Sequence, residues 1–229
     1  MSDPDAQRRH EVLLLDFGGV CLLNPVELHR RTETLLGLDE GTLAWMGPIA
    51  PETDRLWQRM LAGDGVTERE YWAQRAIDVG RAAGRDLSLR DYMDLLYDPP
   101  FADMIRPGAI EVVTRARAAG LGVAILTNDM RAFHGREWEA QVGFFDLVDH
   151  IVDCSDTGCL KPDPRAYQRA IDIIDVDPGR VLFVDDQPAN VAGAITCGLD
   201  AIWFEIADAD MAWTAVADRL GLDRRAQPV

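Results

Sequence analysis

Three short apolar runs that each stop abruptly on a polar residue constrain this chain more than any other feature. Val12-Leu13-Leu14-Leu15 stops at Asp16, Val123-Ala124-Ile125-Leu126 at Thr127, and Val181-Leu182-Phe183-Val184 at Asp185-Asp186. Fully apolar runs of this length are strands buried on both faces. Between and after them lie helical patterns: one from Gly108 that stops at Gly120, one around 130–141, one from Pro164 and one from Pro188. A weaker strand near His150–Asp153 and another at Ala201-Ile202-Trp203-Phe204 complete the alternation. Strand–helix–strand units of this size cross over right-handed and build a parallel sheet covered on both sides. The expected fold is α/β, a Rossmann-like, doubly wound parallel sheet.

Between Asn24 and Pro100 the strand signals vanish and helix signals replace them. Asn24-Pro25 reads as an N-cap followed by a first helical residue, with Gly37 as the stop. Pro51 is expected to open a second helix, with Leu56, Trp57, Met60 and Leu61 on one side and Gly63 at its end. Thr67-Glu68-Arg69-Glu70 is a capping box ahead of Tyr71, Trp72, Ala76 and Ile77. Ser88 caps a fourth helix that carries Tyr92, Met93, Leu95 and Leu96 and ends at Asp98-Pro99-Pro100. The chain therefore divides into an α/β core, 1–23 and 101–229, and an inserted all-helical segment, 24–100. Asp223–Val229 reads as a short polar tail.

In a parallel sheet every strand ends on the same rim, where such folds bind ligands. Asp16, Thr127, Lys161 in the loop after the third strand, and Asp185-Asp186 would converge there. The composition sharpens the point. The chain has 39 acidic and 23 basic residues, a formal charge of −16, and Lys161 is its one lysine. So acidic a surface repels phosphate backbones and anionic lipid, which argues against nucleic-acid and membrane partners. Carboxylates brought together need a cation between them, and hard oxygen ligands select Mg²⁺. A fixed carboxylate can also attack a phosphoryl group, giving an aspartyl-phosphate, while Lys161, the Thr127 hydroxyl and loop N–H groups meet the charge on the transferring group.

Met1–Glu11 lacks the apolar core of a signal peptide. Cys21, Cys154, Cys159 and Cys197 show neither C-x-x-C spacing nor a histidine partner. They read as reduced thiols of a cytoplasmic protein. Nothing in the sequence specifies an oligomeric state.

The four motifs together resemble the haloacid dehalogenase-like hydrolase superfamily. Leu14-Leu15-Asp16-Phe17-Gly18-Gly19-Val20 is similar to its first motif and Ile125-Leu126-Thr127-Asn128 to its second. Lys161-Pro162-Asp163-Pro164-Arg165-Ala166-Tyr167 is similar to its third, and Phe183-Val184-Asp185-Asp186, followed by Asn190, to its fourth. The resemblance implies that 24–100 is a helical cap of the kind found in small-metabolite phosphatases. It implies Asp16 as nucleophile and Asp16, the Gly18 carbonyl and Asp186 around Mg²⁺, with Asp185 a second acidic ligand or an outer partner. Thr127 and the Asn128 N–H would hold the phosphoryl oxygens of a small phosphorylated substrate, and Lys161 would neutralise the charge between nucleophile and phosphate. Asn190 would support Lys161 or the acidic loop, and Asp163 would cap the helix that Pro164 begins.

One position departs from the pattern. Phosphatases of the superfamily usually carry an acid/base aspartate two residues after the nucleophile, where this chain has Gly18. Asp129 is a nearby carboxylate whose ordinary reading is an exposed or capping residue. Two alternatives follow. A 2-haloacid dehalogenase would attack carbon with Asp16 and need no metal, though that type usually has uncharged residues at 185–186 and an aromatic at 18. A catalytically weak homologue would bind a phosphorylated ligand without turnover.

Overall fold

The computed structural model describes residues 9–97 and 101–222; the helix end expected at Asp98-Pro99-Pro100 and the tail at 223–229 lie outside the described residues. In chain order the elements are β1 (Val12–Leu15), α1 (His29–Leu36), α2 (Arg55–Leu61), α3 (Glu68–Ala82), α4 (Leu89–Leu96), α5 (Pro107–Ala118), β2 (Gly122–Thr127), α6 (Met130–His134), α7 (Arg136–Glu139), β3 (His150–Asp153), α8 (Pro164–Ile174), β4 (Val181–Asp185), α9 (Pro188–Thr196), β5 (Asp200–Trp203) and α10 (Ala209–Arg219). They fall into two compact units. The first holds the chain up to Leu22, Ile105–Met130 and the chain from Gln141; the second holds Leu23–Met104 and Arg131–Ala140.

The first unit is built on a five-stranded sheet of order β3-β2-β1-β4-β5 in which every pairing is parallel. This is the doubly wound α/β fold expected from the apolar runs. β1 is central, and its four residues are buried because helices cover both faces. On one face Val12, Leu14, Ala124 and Phe183 pack with Tyr167 of α8 and Ala194 of α9. Alternate residues such as Leu13 and Leu15, both wholly buried, point to the other face by the two-residue period of a strand. Each such side chain removed from water contributes about 1.5–3 kcal/mol. Asp163 caps α8 as its sequence suggests, accepting the Arg165 N–H at 2.9 Å. α10, which carries Trp213 and Val216 into the core, was not expected, and β5 begins one residue earlier than the apolar pattern indicates.

The second unit is helical. Thr67 and Ser88 each head a complete capping box, for α3 and α4. Two starts differ from expectation. The turns after Asn24 close through Glu27 N–H to the Asn24 carbonyl and Leu28 N–H to the Pro25 carbonyl. These are three-residue spans, so α1 begins only at His29. Asn24 instead caps the preceding turn, its Oδ1 accepting from Val26 N–H at 3.1 Å. Pro51 opens a single 3₁₀ turn, and α2 starts after Asp54, whose carboxylate accepts the Leu56 and Trp57 N–H groups. Asp54 also takes the Tyr71 hydroxyl at 2.7 Å and Arg75 Nη2 at 2.7 Å. Leu61 and Ile77 are exposed rather than packed. The helix expected around 130–141 is broken at Gly135, φ +80°, into α6 and α7. The Trp138 indole donates to the Tyr97 carbonyl at 3.1 Å and stacks on His134 with centroids 4.1 Å apart, tying α7 to the helical unit.

Candidate active site

The sheet brings the expected residues together at its carboxyl rim. Asp16 directly follows β1, its N–H bonded to the Val184 carbonyl at 2.8 Å. The pairing of Leu15 with Ile125 and with Val184 brings the chain at Asp16 out beside the ends of β2 and β4, which finish on Thr127 and Asp185. Lys161 reaches in from the loop before α8. Its ammonium, wholly buried, lies 2.8 Å from Asp16 Oδ1 and 2.7 Å from Asp185 Oδ2. Burial alone would lower the lysine pKa, but the charges of Asp16 and Asp185 outweigh it and hold the group firmly protonated.

Each member is held by a neighbour. The Asn128 side chain grips the Lys161 backbone reciprocally: Oδ1 accepts the Lys161 N–H at 2.7 Å and Nδ2 donates to the Lys161 carbonyl at 3.1 Å. Asp185, with no exposed surface, accepts the Gln187 N–H at 2.9 Å on Oδ1 and Asn190 Nδ2 at 3.0 and 3.2 Å on its two oxygens. Both Asp185 oxygens are therefore engaged before any ligand arrives. Asn190 is in turn fixed by the Tyr167 hydroxyl, which donates to its carbonyl at 2.7 Å. Thr127 is buried at the end of β2. Asp129, expected to be exposed or a capping residue, is buried as well.

Asp186 is only partly buried, and its backbone carbonyl accepts the Trp203 indole N–H at 2.9 Å. Its carboxylate sits against Gly19, where φ is +77° and a Cβ would stand 2.6 Å from Asp186 Oδ2. Only glycine fits there, which accounts for the second glycine of the pair. Gly19 is also held by the buried Arg106, whose Nε donates to its carbonyl at 3.0 Å. Arg106 and Trp203 are supports that no local signal marks with a role, and Tyr167 stands out only as the end of the third motif: each bonds a backbone carbonyl well away in the chain. Asp16, Asp185 and Asp186 each offer a carboxylate oxygen, all lying within 4.8 Å of one another. One ammonium serves two of these three charges, so the donor set suits a further small, hard cation.

A family model, haloacid dehalogenase-like hydrolase, matches residues 11–198, which span this whole constellation. The chain belongs to that family. It is 35% identical over 160 residues to a phosphatase of Mycobacterium tuberculosis, covering 66% of this chain and 70% of that protein. It is 27% identical over 148 residues to an (S)-2-haloacid dehalogenase of a Pseudomonas species, covering 64% of this chain and 63% of the other. Of a mouse protein, acyl-CoA dehydrogenase family member 10, it spans 18%. Among solved structures it shares its fold with the HAD-hydrolase YfnB from Bacillus subtilis, solved bound to magnesium, with TM-score 0.63 and 19% identity over 86% of this chain and 87% of that one. Among the described residues no helix is long and apolar enough to cross a membrane.

Proposed function

We propose that this hydrolase is a Mg²⁺-dependent phosphatase that acts on a small phosphorylated metabolite through an aspartyl-phosphate on Asp16. The observation that carries the reading is the Asp16–Lys161–Asp185 triad with the Asp186 carboxylate beside it. Asp16 is fixed at a strand end, which makes it a positioned nucleophile. Lys161 neutralises the charge that builds up between that carboxylate and the phosphoryl group, and the Thr127 hydroxyl and Asn128 N–H receive the phosphoryl oxygens. Asp16, the Gly18 carbonyl and Asp186 would hold Mg²⁺; when bound, the ion supplies charge stabilisation on the phosphoryl oxygens. Asp185, its oxygens already taken, acts as the outer partner that keeps Lys161 in place. The insert 24–100 serves as the cap that selects the substrate. Free thiols at all four cysteines suit a cytoplasmic setting.

Support comes from the mycobacterial relative being a phosphatase and from a Pyrococcus abyssi glyceraldehyde 3-phosphate phosphatase, 28% identical over 102 residues. Dehalogenase relatives favour the other reading, yet that type usually carries uncharged residues at 185–186, where this chain has Asp185 and Asp186, and an aromatic at 18, where it has glycine. The experiment is phosphate release from 4-nitrophenyl phosphate by the purified chain, with and without Mg²⁺, beside Asp16→Asn, and chloride release from 2-chloropropionate in parallel. Metal-dependent phosphate release abolished by Asp16→Asn is the expected result. Activity indifferent to both changes, or chloride release alone, would overturn it.

A further inference from the structure

A phosphatase must dispose of two protons' worth of chemistry. The oxygen that departs needs a proton or must leave as an anion, and the water that frees Asp16 must lose one. Among the described residues of the α/β unit, the ionisable groups around Asp16 are already committed to other tasks, Asp186 to the proposed metal site. The loop after Asp16 runs Phe17-Gly18-Gly19-Val20 and contains no ionisable group. Phe17 is buried against Phe145, centroids 4.9 Å apart, and Gly19 is locked against Asp186. A Cβ at Gly18, two residues after the nucleophile, would meet no described heavy atom within 4 Å outside its chain neighbours, so a side chain has room there and none is present. The Lys161 ammonium is committed to Asp16 and Asp185, and Asp185 to Asn190 and Gln187. Asp129 already has a partner of its own.

Resting on the phosphatase reading above, we infer that the site serves substrates whose departing oxygen is stable as an anion, namely aryl, enol or acyl phosphates, and that phospho-Asp16 accumulates during turnover. In the first step an Asp16 oxygen bonds to phosphorus as the phosphorus–oxygen bond to the substrate breaks. The electron pair leaves with the departing oxygen, which takes its proton from bulk water. In the second step water attacks phosphorus, the bond to Asp16 breaks, the electron pair returns to the carboxylate, and the proton goes to solvent. General acid–base help is worth about 10²–10⁴-fold in such steps. A good leaving group makes the first step fast without that help. Nothing in the substrate can do the same for the second, because the intermediate is identical whatever the substrate was. The second step therefore limits turnover.

The test is stopped-flow kinetics of the Mg²⁺-loaded wild type, Gly18→Asp and Asp129→Asn on a series of substituted phenyl phosphates and on ethyl phosphate. For the wild type we expect a burst of one phenol per Asp16, a kcat common to the aryl series, and a kcat/KM that falls steeply as the leaving group worsens. Gly18→Asp, which the open space accommodates, should abolish the burst and improve ethyl phosphate relative to phenyl phosphates by about 10²–10⁴-fold. Wild-type kcat/KM for ethyl phosphate within about tenfold of the aryl series would overturn the inference while leaving the phosphatase reading intact. So would an Asp129→Asn variant that selectively loses ethyl phosphate, since Asp129 would then be the acid. No phosphate release and no phospho-Asp16 from any substrate would overturn the phosphatase reading, and this inference with it.

Discussion

Replacing Lys161 by methionine keeps the apolar stem and deletes the charge, and the structure allows its cost to be worked out. The ammonium sits 2.8 Å from Asp16 and 2.7 Å from Asp185 and is shielded from solvent. At an effective dielectric of about 20, one unit-charge pair 4 Å apart is worth about 4 kcal/mol. Two such attractions are opposed by a desolvation cost of several kcal/mol per ion. Removing one partner from a buried pair costs about 3–5 kcal/mol, because the charge left behind is uncompensated. Here two carboxylates are left facing each other. For a protein of this size about 2–4 °C of melting temperature is lost per kcal/mol, so a fall of roughly 6–20 °C is expected.

The pH dependence carries the sign. In the wild type the lysine pKa is raised overall, burial opposing and the two carboxylates prevailing. Its stabilisation is therefore complete below the ordinary lysine pKa and is lost only at higher pH. Lys161→Met lacks that group at every pH, so its deficit should be full at neutral and mildly alkaline pH and narrow only as the wild-type lysine itself loses its proton. Thermal melts followed by far-UV circular dichroism across that range measure it. A variant within about 1 kcal/mol of the wild type, with an unchanged pH profile, would refute the reasoning, since only a solvated ion pair is worth so little.

Other outcomes follow from the same geometry. Lys161→Arg keeps the charge but must fit a wider, planar group into a sealed slot, so phosphate release should fall by about 10²–10³-fold. Gly19→Ala sets a methyl 2.6 Å from Asp186 Oδ2 at a φ of +77°; calorimetry should show weakened Mg²⁺ binding, and unchanged affinity would remove Asp186 from the proposed metal site. Tyr71→Phe strips the buried Asp54 of a donor at 2.7 Å and should cost about 1–3 kcal/mol in a denaturant titration. Burial, with help from Arg90, lowers the His134 pKa from 6.5 to about 3. The stability of its neutral form is present above pH 6.5 and is lost as pH falls from there towards about 3; His134→Phe should flatten that limb of an acid-unfolding curve.

Asp16, Thr127 and Asp185 were legible because a strand buried on both faces has no place for a polar residue until it emerges at the rim. Lys161 stood out through rarity, and Asp163, Thr67 and Ser88 through local capping chemistry that acts within three residues. What escaped the sequence was non-local. Asp54 is an unremarkable acid until Tyr71 and Arg75, on the next helix, turn to meet it. Arg106 is 87 positions from the Gly19 carbonyl it holds. Asn24 fits an N-cap pattern equally well for a turn or a helix, and only the hydrogen-bond spans decide between them. α6 and α7 read as one helix because their apolar spacing does not register the backbone reversal at Gly135.

The stretch Arg131–Ala140 groups with the helical unit although it arises between β2 and β3. Anyone exchanging the helical unit between relatives would cut at the two ends of the long insert and move it as one cassette. That operation would leave Trp138 and His134 behind, and Tyr97 would lose its indole partner and its neighbouring ring. A chimera made at two junctions is incomplete by construction. Four junctions are needed, and the short second piece is what a graft of this unit must carry with it.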